Sequence, residues 1–255
     1  MPVVTSYAPG TPSWVDIGSP NIAESAAFYS ALFGWETVDQ GEEAGHYTMC
    51  EIGGKPVAAI GPAMNPGPPV WATYITVANC DTAAAAITAA GGTVVAPAFD
   101  VMDVGRMAVA MDPTGGFFSV WEPRLHIGAN IVNEPNTLCW NELTVRDVDT
   151  AVNFYKAVFG YAVQENGDPV EYREFQLDGS SIAGCMQMNE MFPPDMPTHW
   201  MVYFAVDDAD AAAAKCAELG GTVMVAPFDI PIGRIAVVND PHGATFSVIK
   251  LAASQ

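Results

Sequence analysis

The chain has 255 residues, half of them hydrophobic, enough for one large domain or two of about 125 residues with a core each. Its 29 acidic residues against 9 Lys plus Arg leave a net charge of −20; without clustered cations to neutralise phosphates, nucleic-acid binding is excluded, and anionic membranes would repel such a surface. No run approaches the ~20 apolar residues of a membrane helix. Met1 to Gly10 lacks the basic start and apolar run of a secretory signal. Cys50, Cys80, Cys139, Cys185 and Cys216 stand apart without a C-x-x-C pair, as free thiols in a reducing compartment do, so a cytoplasmic protein is expected.

Along the chain, Trp14 to Gly18 alternates as a strand should. Residues 21–33 then carry apolar side chains at Ile22, Ala26, Tyr29 and Phe33, a helical spacing, with Gly34 suited to the C′ position. Strands follow around 47–52 and 57–60, and Pro62 to Pro69 breaks the pattern. A strand at 71–77, an Ala-rich helix at 82–90 stopped by Gly91-Gly92, and three strands complete this half, the last two joined through Asp112-Pro113-Thr114-Gly115. The second half repeats this order. Its first strand lies near Trp140, and its helix runs from the N-cap Asp147 to Gly160. Strands are expected at 172–177 and 182–187, with connector prolines at 193–197. A further strand at 200–206 and a second helix at 209–219 follow, and then the Asp240-Pro241-His242-Gly243 turn.

The repeat is explicit in the residues. Trp14-Val15-Asp16-Ile17 matches Trp140-Asn141-Glu142-Leu143, and Ala27-Phe28-Tyr29 through Gly34-Trp35 matches Asn153-Phe154-Tyr155 through Gly160-Tyr161. Trp71 to Val77 matches Trp200 to Val206, and Gly105-Arg106 matches Gly233-Arg234. Each half therefore reads β-α-β-β-β twice. The expected division is a domain at 1–125 with units at about 12–62 and 70–123, a linker at 126–136, and a domain at 137–255 with units at about 138–188 and 198–250.

This arrangement resembles the vicinal oxygen chelate superfamily, which includes glyoxalase I, extradiol dioxygenases and the bleomycin and fosfomycin resistance proteins. Its wording is similar to two-domain actinobacterial members labelled hydroxylases, some from polyketide or anthracycline pathways. The resemblance implies an α+β fold in which four βαβββ units pair into two tandem half-open mixed β-barrels, or cups, with helices outside. Metal-dependent relatives place a His, carboxylate or amide on each unit's first strand and a Glu on the last. The matching positions here are Trp14, Ala72 and Ser119 in the first half and Trp140, Met201 and Ser247 in the second. None suits a divalent ion, so neither a metal nor another cofactor is expected.

Strand alternation places other residues in the cups. Because Val15 and Ile17 are apolar, Trp14 and Asp16 face the first cup, and Trp140 and Glu142 the second. Tyr74, Ser119 and Trp121, and Tyr203 and Ser247, follow by the same parity, as do Phe117 and Thr245. Aromatic walls with polar tips suit a planar aromatic or polyketide-sized ligand, and filling of the barrel by its own side chains is the alternative. A carboxyl in such a wall has a raised pKa and serves as acid or base, which makes Glu142 and Asp16 the catalytic candidates. They could equally anchor a ligand or pair with Arg106 and Arg234. His242 is expected in solvent. Three readings stand: a metal-free binder of a small organic molecule, a cofactorless hydroxylase, isomerase or cyclase, and an interaction protein with degenerate cavities. A monomer or homodimer is expected, since four units complete two cups within one chain.

Overall fold

The structure, a computed structural model, describes residues 1–64, 67–166 and 171–252. The first half contains β1 (Pro12–Ser19), α1 (Ile22–Phe33), β2 (Glu36–Asp39), β3 (Thr48–Ile52), β4 (Lys55–Pro62), β5 (Trp71–Thr76), α2 (Cys80–Ala89), β6 (Thr93–Val101), β7 (Gly105–Met111) and β8 (Phe117–Pro123). The second half repeats it with β9 (Leu138–Val145), α3 (Val148–Phe159), β10 (Ala162–Asn166), β11 (Tyr172–Leu177), β12 (Ser180–Gln187), β13 (His199–Ala205), α4 (Ala209–Glu218), β14 (Thr222–Ile230), β15 (Gly233–Asn239) and β16 (Thr245–Leu251). Each half is one eight-stranded sheet, in the orders β2-β3-β4-β1-β5-β8-β7-β6 and β10-β11-β12-β9-β13-β16-β15-β14. The centres are antiparallel pairs, β1 with β5 and β9 with β13, each flanked by parallel neighbours.

Local sequence sets the helix ends. Asn21 accepts from the Glu24 amide and Asp147 from that of Thr150, satisfying donors of the first turn, while Gly34 and Gly160 close α1 and α3 in the left-handed region with φ of 73°. In the Asp-Pro-x-Gly turns the aspartate holds the backbone. Asp112 accepts from the Thr114 and Gly116 amides at 2.7 and 3.1 Å, and Asp240 from those of His242 and Ala244 at 2.9 Å each.

The helices lie on the convex face of each sheet, and these convex faces meet each other. One core joins Val15, Ile17, Phe28, Tyr29 and Phe33 of the first half to Val202, Phe204, Ala213, Phe246 and Val248 of the second. The other joins Ile75, Ile87, Phe118 and Val120 to Leu143, Phe154, Tyr155 and Phe175. Ring contacts cross between halves, with Phe33 5.1 Å from Phe204 and Phe118 5.6 Å from Tyr155. At the centre the Thr73 hydroxyl donates to Asn141 Oδ1 at 2.9 Å. The helices are thus outside the cups, with their inward faces buried between the halves.

Two buried relays repeat across this interface. The Trp71 indole donates to Tyr29, whose hydroxyl donates to Asp240; Trp200 donates to Tyr155, and Tyr155 to Asp112. Each turn aspartate is therefore bonded to the opposite half. His242 is also drawn to the interface rather than to solvent: its side chain is largely covered, and Nε2 lies 3.3 Å from Glu24 of α1. Tyr155→Phe leaves Asp112 Oδ2 and the Trp200 indole without their partner in a dry setting. A loss of about 1–3 kcal/mol in unfolding free energy is expected from urea titration, with Tyr29→Phe behaving alike.

Candidate ligand-binding cups

The concave faces carry one repeated constellation. In the first cup the Trp14 indole donates to the Tyr47 hydroxyl at 3.1 Å, and Tyr47 and Tyr74 both donate to Asp16 Oδ2 at 2.9 Å. In the second the Trp140 indole donates to Tyr172 at 2.9 Å, and Tyr203 donates to Glu142 Oε1 at 2.7 Å, with the Tyr172 hydroxyl close enough to that carboxyl to pull its pKa down. Strand register builds these groups. Trp14, Tyr74 and Ser119 are directly paired across β1, β5 and β8, as Trp140, Tyr203 and Ser247 are across β9, β13 and β16. Asp16 sits opposite Ala72, and Glu142 opposite Met201, two pairs further along and so on the same face.

Burial raises both carboxyl pKa values, Asp16 from 3.8 to about 6 and Glu142 above its ordinary range, against the opposing pull of the tyrosine hydroxyls. Burial likewise raises those of the phenols. A divalent ion would need several hard oxygen or nitrogen donors converging on one point. Each constellation offers one carboxylate, already bonded by phenols, beside an indole. Among the described residues no three His, Cys, Asp or Glu side chains are placed to hold an ion. These residues do not fit the family's metal.

Arg106 and Arg234 are not in the cups. Arg106 bonds Asp81 at the start of α2 and Asp100 of β6, and Arg234 bonds Asp210 at the start of α4 and Asp229 of β14. The reason is parity: Trp121 pairs with Met107, so Arg106, its neighbour, points to the opposite face, and Arg234 follows by the repeat. The expected pairing with Asp16 or Glu142 is therefore corrected. Ser119 and Ser247 are buried in the floors, and the Ser247 hydroxyl has no hydrogen-bond partner. Phe117 and Thr245, the first residues of β8 and β16, are exposed.

The cups differ in what fills them. In the first, the segment between the halves lies along the wall. The Ala129 amide donates to the Ser13 carbonyl, the Asn130 amide to that of Pro56, and Tyr7 to the Ala129 carbonyl. His126 is inserted between two indoles, its ring edge-on to Trp14 at 4.4 Å and its carbonyl accepting from Trp121 Nε1 at 2.8 Å. Burial lowers its pKa to about 4, and its Nε2 has no partner. Trp14 is left only 3% exposed. No periodicity marked this histidine, because it lies in a connecting segment and its contact with Trp14 comes from a strand far away in sequence.

The second cup holds a cavity of about 150 Å³. Trp140, Glu142, Tyr172 and Tyr203 form one side, while Ile230, Ile232, Ile249 and Leu251 form an apolar side, with Cys139 between. Small residues make the room. Ile249 occupies the position that Trp121 holds in the first half, and Gly184, beside Glu142, gives its side-chain space to Tyr172: a Cβ there would lie 2.0 Å from the phenol oxygen.

Two cups of four βαβββ units, each with a carboxyl on its first strand, define a tandem member of the vicinal oxygen chelate fold. The family model "Glyoxalase/Bleomycin resistance protein/Dioxygenase superfamily" matches residues 128–248, and that of the "Glyoxalase-like domain" residues 14–121. The chain belongs to this superfamily. It is 44% identical to "Putative glyoxylase CFP32" of Mycobacterium tuberculosis over the full length of both chains. It is 38% identical to "Anthracycline biosynthesis protein DauV" of Streptomyces sp., covering 97% of this chain and 96% of that one. Among solved structures, the Mn(II)-bound glyoxalase from Novosphingobium aromaticivorans superposes with a TM-score of 0.68 at 19% identity, over 96% of this chain and 83% of that one. The 2,3-dioxygenase LapB from Pseudomonas sp. KL28 gives 0.67 at 14%, over 97% and 94%. At such identities these structures share the fold.

Proposed function

We propose that the chain is a metal-free small-molecule-binding protein whose second cup receives an aromatic or polyketide-type metabolite. The observation that carries this reading is the cavity over Trp140 and Glu142, present where the first cup is packed with Trp121 and His126. Its volume of about 150 Å³ suits one benzene-sized ring, so a larger ligand would enter by one end. The donor set around Glu142 supports binding without an ion, and the anthracycline-biosynthesis name of a full-length relative supports the ligand class. Free cysteines and the acidic charge support a cytoplasmic protein without nucleic-acid or membrane partners. No described helix is long and apolar enough to cross a membrane.

A second reading rests on Glu142 itself. A buried carboxyl with a raised pKa, held by the Tyr203 hydroxyl beside an apolar wall, is suited to moving a proton to or from a bound molecule. In that case the same site is a cofactorless enzyme. Native mass spectrometry of the chain purified from its own host identifies the retained molecule, and its recovery unchanged after incubation separates binder from enzyme. In calorimetry with that molecule, Glu142→Gln is expected to weaken binding about tenfold and Asp16→Asn to leave it unaltered. Unchanged affinity in Glu142→Gln would remove Glu142 from the site.

A further inference from the structure

The first cup contains a record of how the second is filled. The two share a Trp–Tyr–carboxyl–Tyr set at equivalent positions, with Glu142 in place of Asp16, so whatever lies against Trp14 marks a position that also exists against Trp140. That occupant is the imidazole of His126, edge-on to the indole at 4.4 Å with an interplanar angle of 82°. Its Nε2 makes no hydrogen bond, so the ring is held by shape and ring contact rather than by its nitrogen. Backbone bonds hold the segment that carries it: the His126 N–H donates to the Val104 carbonyl at 3.0 Å and, three residues on, the Ala129 N–H donates to the Ser13 carbonyl at 2.8 Å.

That carbonyl is free to accept because Ser13 is the extra residue of a bulge. Pro12 pairs with Ile75 and Trp14 with Tyr74, leaving Ser13 out of register, and β4 joins β1 only from Asp16 onward. Cys139 stands in the same place in the second half. Leu138 pairs with Phe204 and Trp140 with Tyr203, and β12 joins β9 only from Glu142 onward. Cys139 borders the cavity. Its thiol is not a reactive group there, since burial pushes its pKa up to about 12. Its carbonyl is the feature repeated from the first cup.

We infer that the second cup takes a planar ring without negative charge standing edge-on to Trp140, with an N–H or O–H donor of the same molecule on the Cys139 carbonyl. This deepens the proposed function and rests on it. The surroundings bound its charge: the buried Glu142 carboxyl beside the ring and a chain of net charge −20 both disfavour an anion. Ile249 in place of Trp121 leaves the ring position accessible, and the isoleucine wall covers its other edge.

The test uses the full chain with three probes of one shape: benzamide, which has the donor; methyl benzoate, which lacks it; and benzoate, which is charged. Titrations are followed by calorimetry and by the indole N–H resonances, with Trp140→Phe assigning that of Trp140. Benzamide is expected to shift the Trp140 resonance and to bind about fivefold more tightly than methyl benzoate, the ratio a neutral hydrogen bond supplies, and more tightly still than benzoate. Ile249→Trp, which gives the second cup the bulk of the first, is expected to abolish binding. Equal affinity for benzamide and methyl benzoate, or no binding of benzamide, overturns the inference; if the host-derived molecule still shifts the Trp140 resonance, the proposed function survives that result. Probe and host molecule binding Ile249→Trp as tightly as the natural chain, without shifting Trp140, overturns both.

Discussion

Cut after Asn133, the chain is expected to give two fragments, 1–133 and 134–255, neither of which folds cooperatively alone. The cut spares the first cup's plug, since Ala129 and Asn130 stay with the fragment whose strands they bond. It divides both cores. Fragment 1–133 would leave Tyr29, Phe33 and Trp71 without Phe204 and Phe246, and Phe118 without Phe154 and Tyr155. Each large side chain returned to water forfeits roughly 1.5–3 kcal/mol, against about 5–15 kcal/mol for a whole domain, so a few of these losses suffice. The turn aspartates fail at the same time, for Asp112 loses Tyr155 and Asp240 loses Tyr29. Separately purified fragments should lack near-ultraviolet circular dichroism and a sharp thermal transition, and mixing should restore both. A lone fragment melting cooperatively near the temperature of the intact chain would show that each half owns its core.

The sequence carried the repeat and the order of elements because burial writes periodicity into it. Apolar residues at helical spacing marked α1 and α3, and the ends Gly34, Asp147 and Gly160 fall where they were expected, while Asn21, read as the first helical residue, is the N-cap. The strands β2 and β10 left no such trace: residues 36–39 are exposed throughout, so nothing alternates. Alternation placed Trp14, Asp16, Trp140 and Glu142 on the concave faces, where the tyrosines now hold the carboxyls. Tyr47 and Tyr172 escaped notice as cup residues, because their roles depend on a register between strands that one strand's pattern does not reveal. The same limit misplaced Arg106 and Arg234, although the neighbouring Trp121 and the small, buried Ala108 held the clue to their parity. Most of all, the unequal filling of two similar cups came from a connecting segment, and connectors follow no period. His126 could be seen in the sequence, but its place between Trp14 and Trp121 could not.

Stability near neutrality is expected to suffer from Asp16, and replacing it with Asn should reveal this as a pH dependence. The carboxyl accepts from Tyr47 and Tyr74, yet burial outweighs both bonds and raises its pKa from 3.8 to about 6. Between those two values the folded chain keeps a proton that the unfolded chain has released. The folded state therefore binds more protons, and the Asp16 contribution to stability falls as pH rises. It is fully present below about pH 3.8 and lost once pH passes about 6. At about 1.4 kcal/mol per pH unit the interval amounts to about 3 kcal/mol. Asn cannot ionise and keeps one oxygen for the tyrosine hydroxyls, so its stability relative to the natural chain should improve by about that amount between pH 4 and pH 7.5. Comparing the two proteins cancels the titration of the other carboxylates, provided they lie apart from the first cup. Urea unfolding at both pH values measures the difference. If the gap between Asp16→Asn and the natural chain is the same at both, the carboxyl titrates alike folded and unfolded, and the closed first cup is wetter than its packing around His126 indicates.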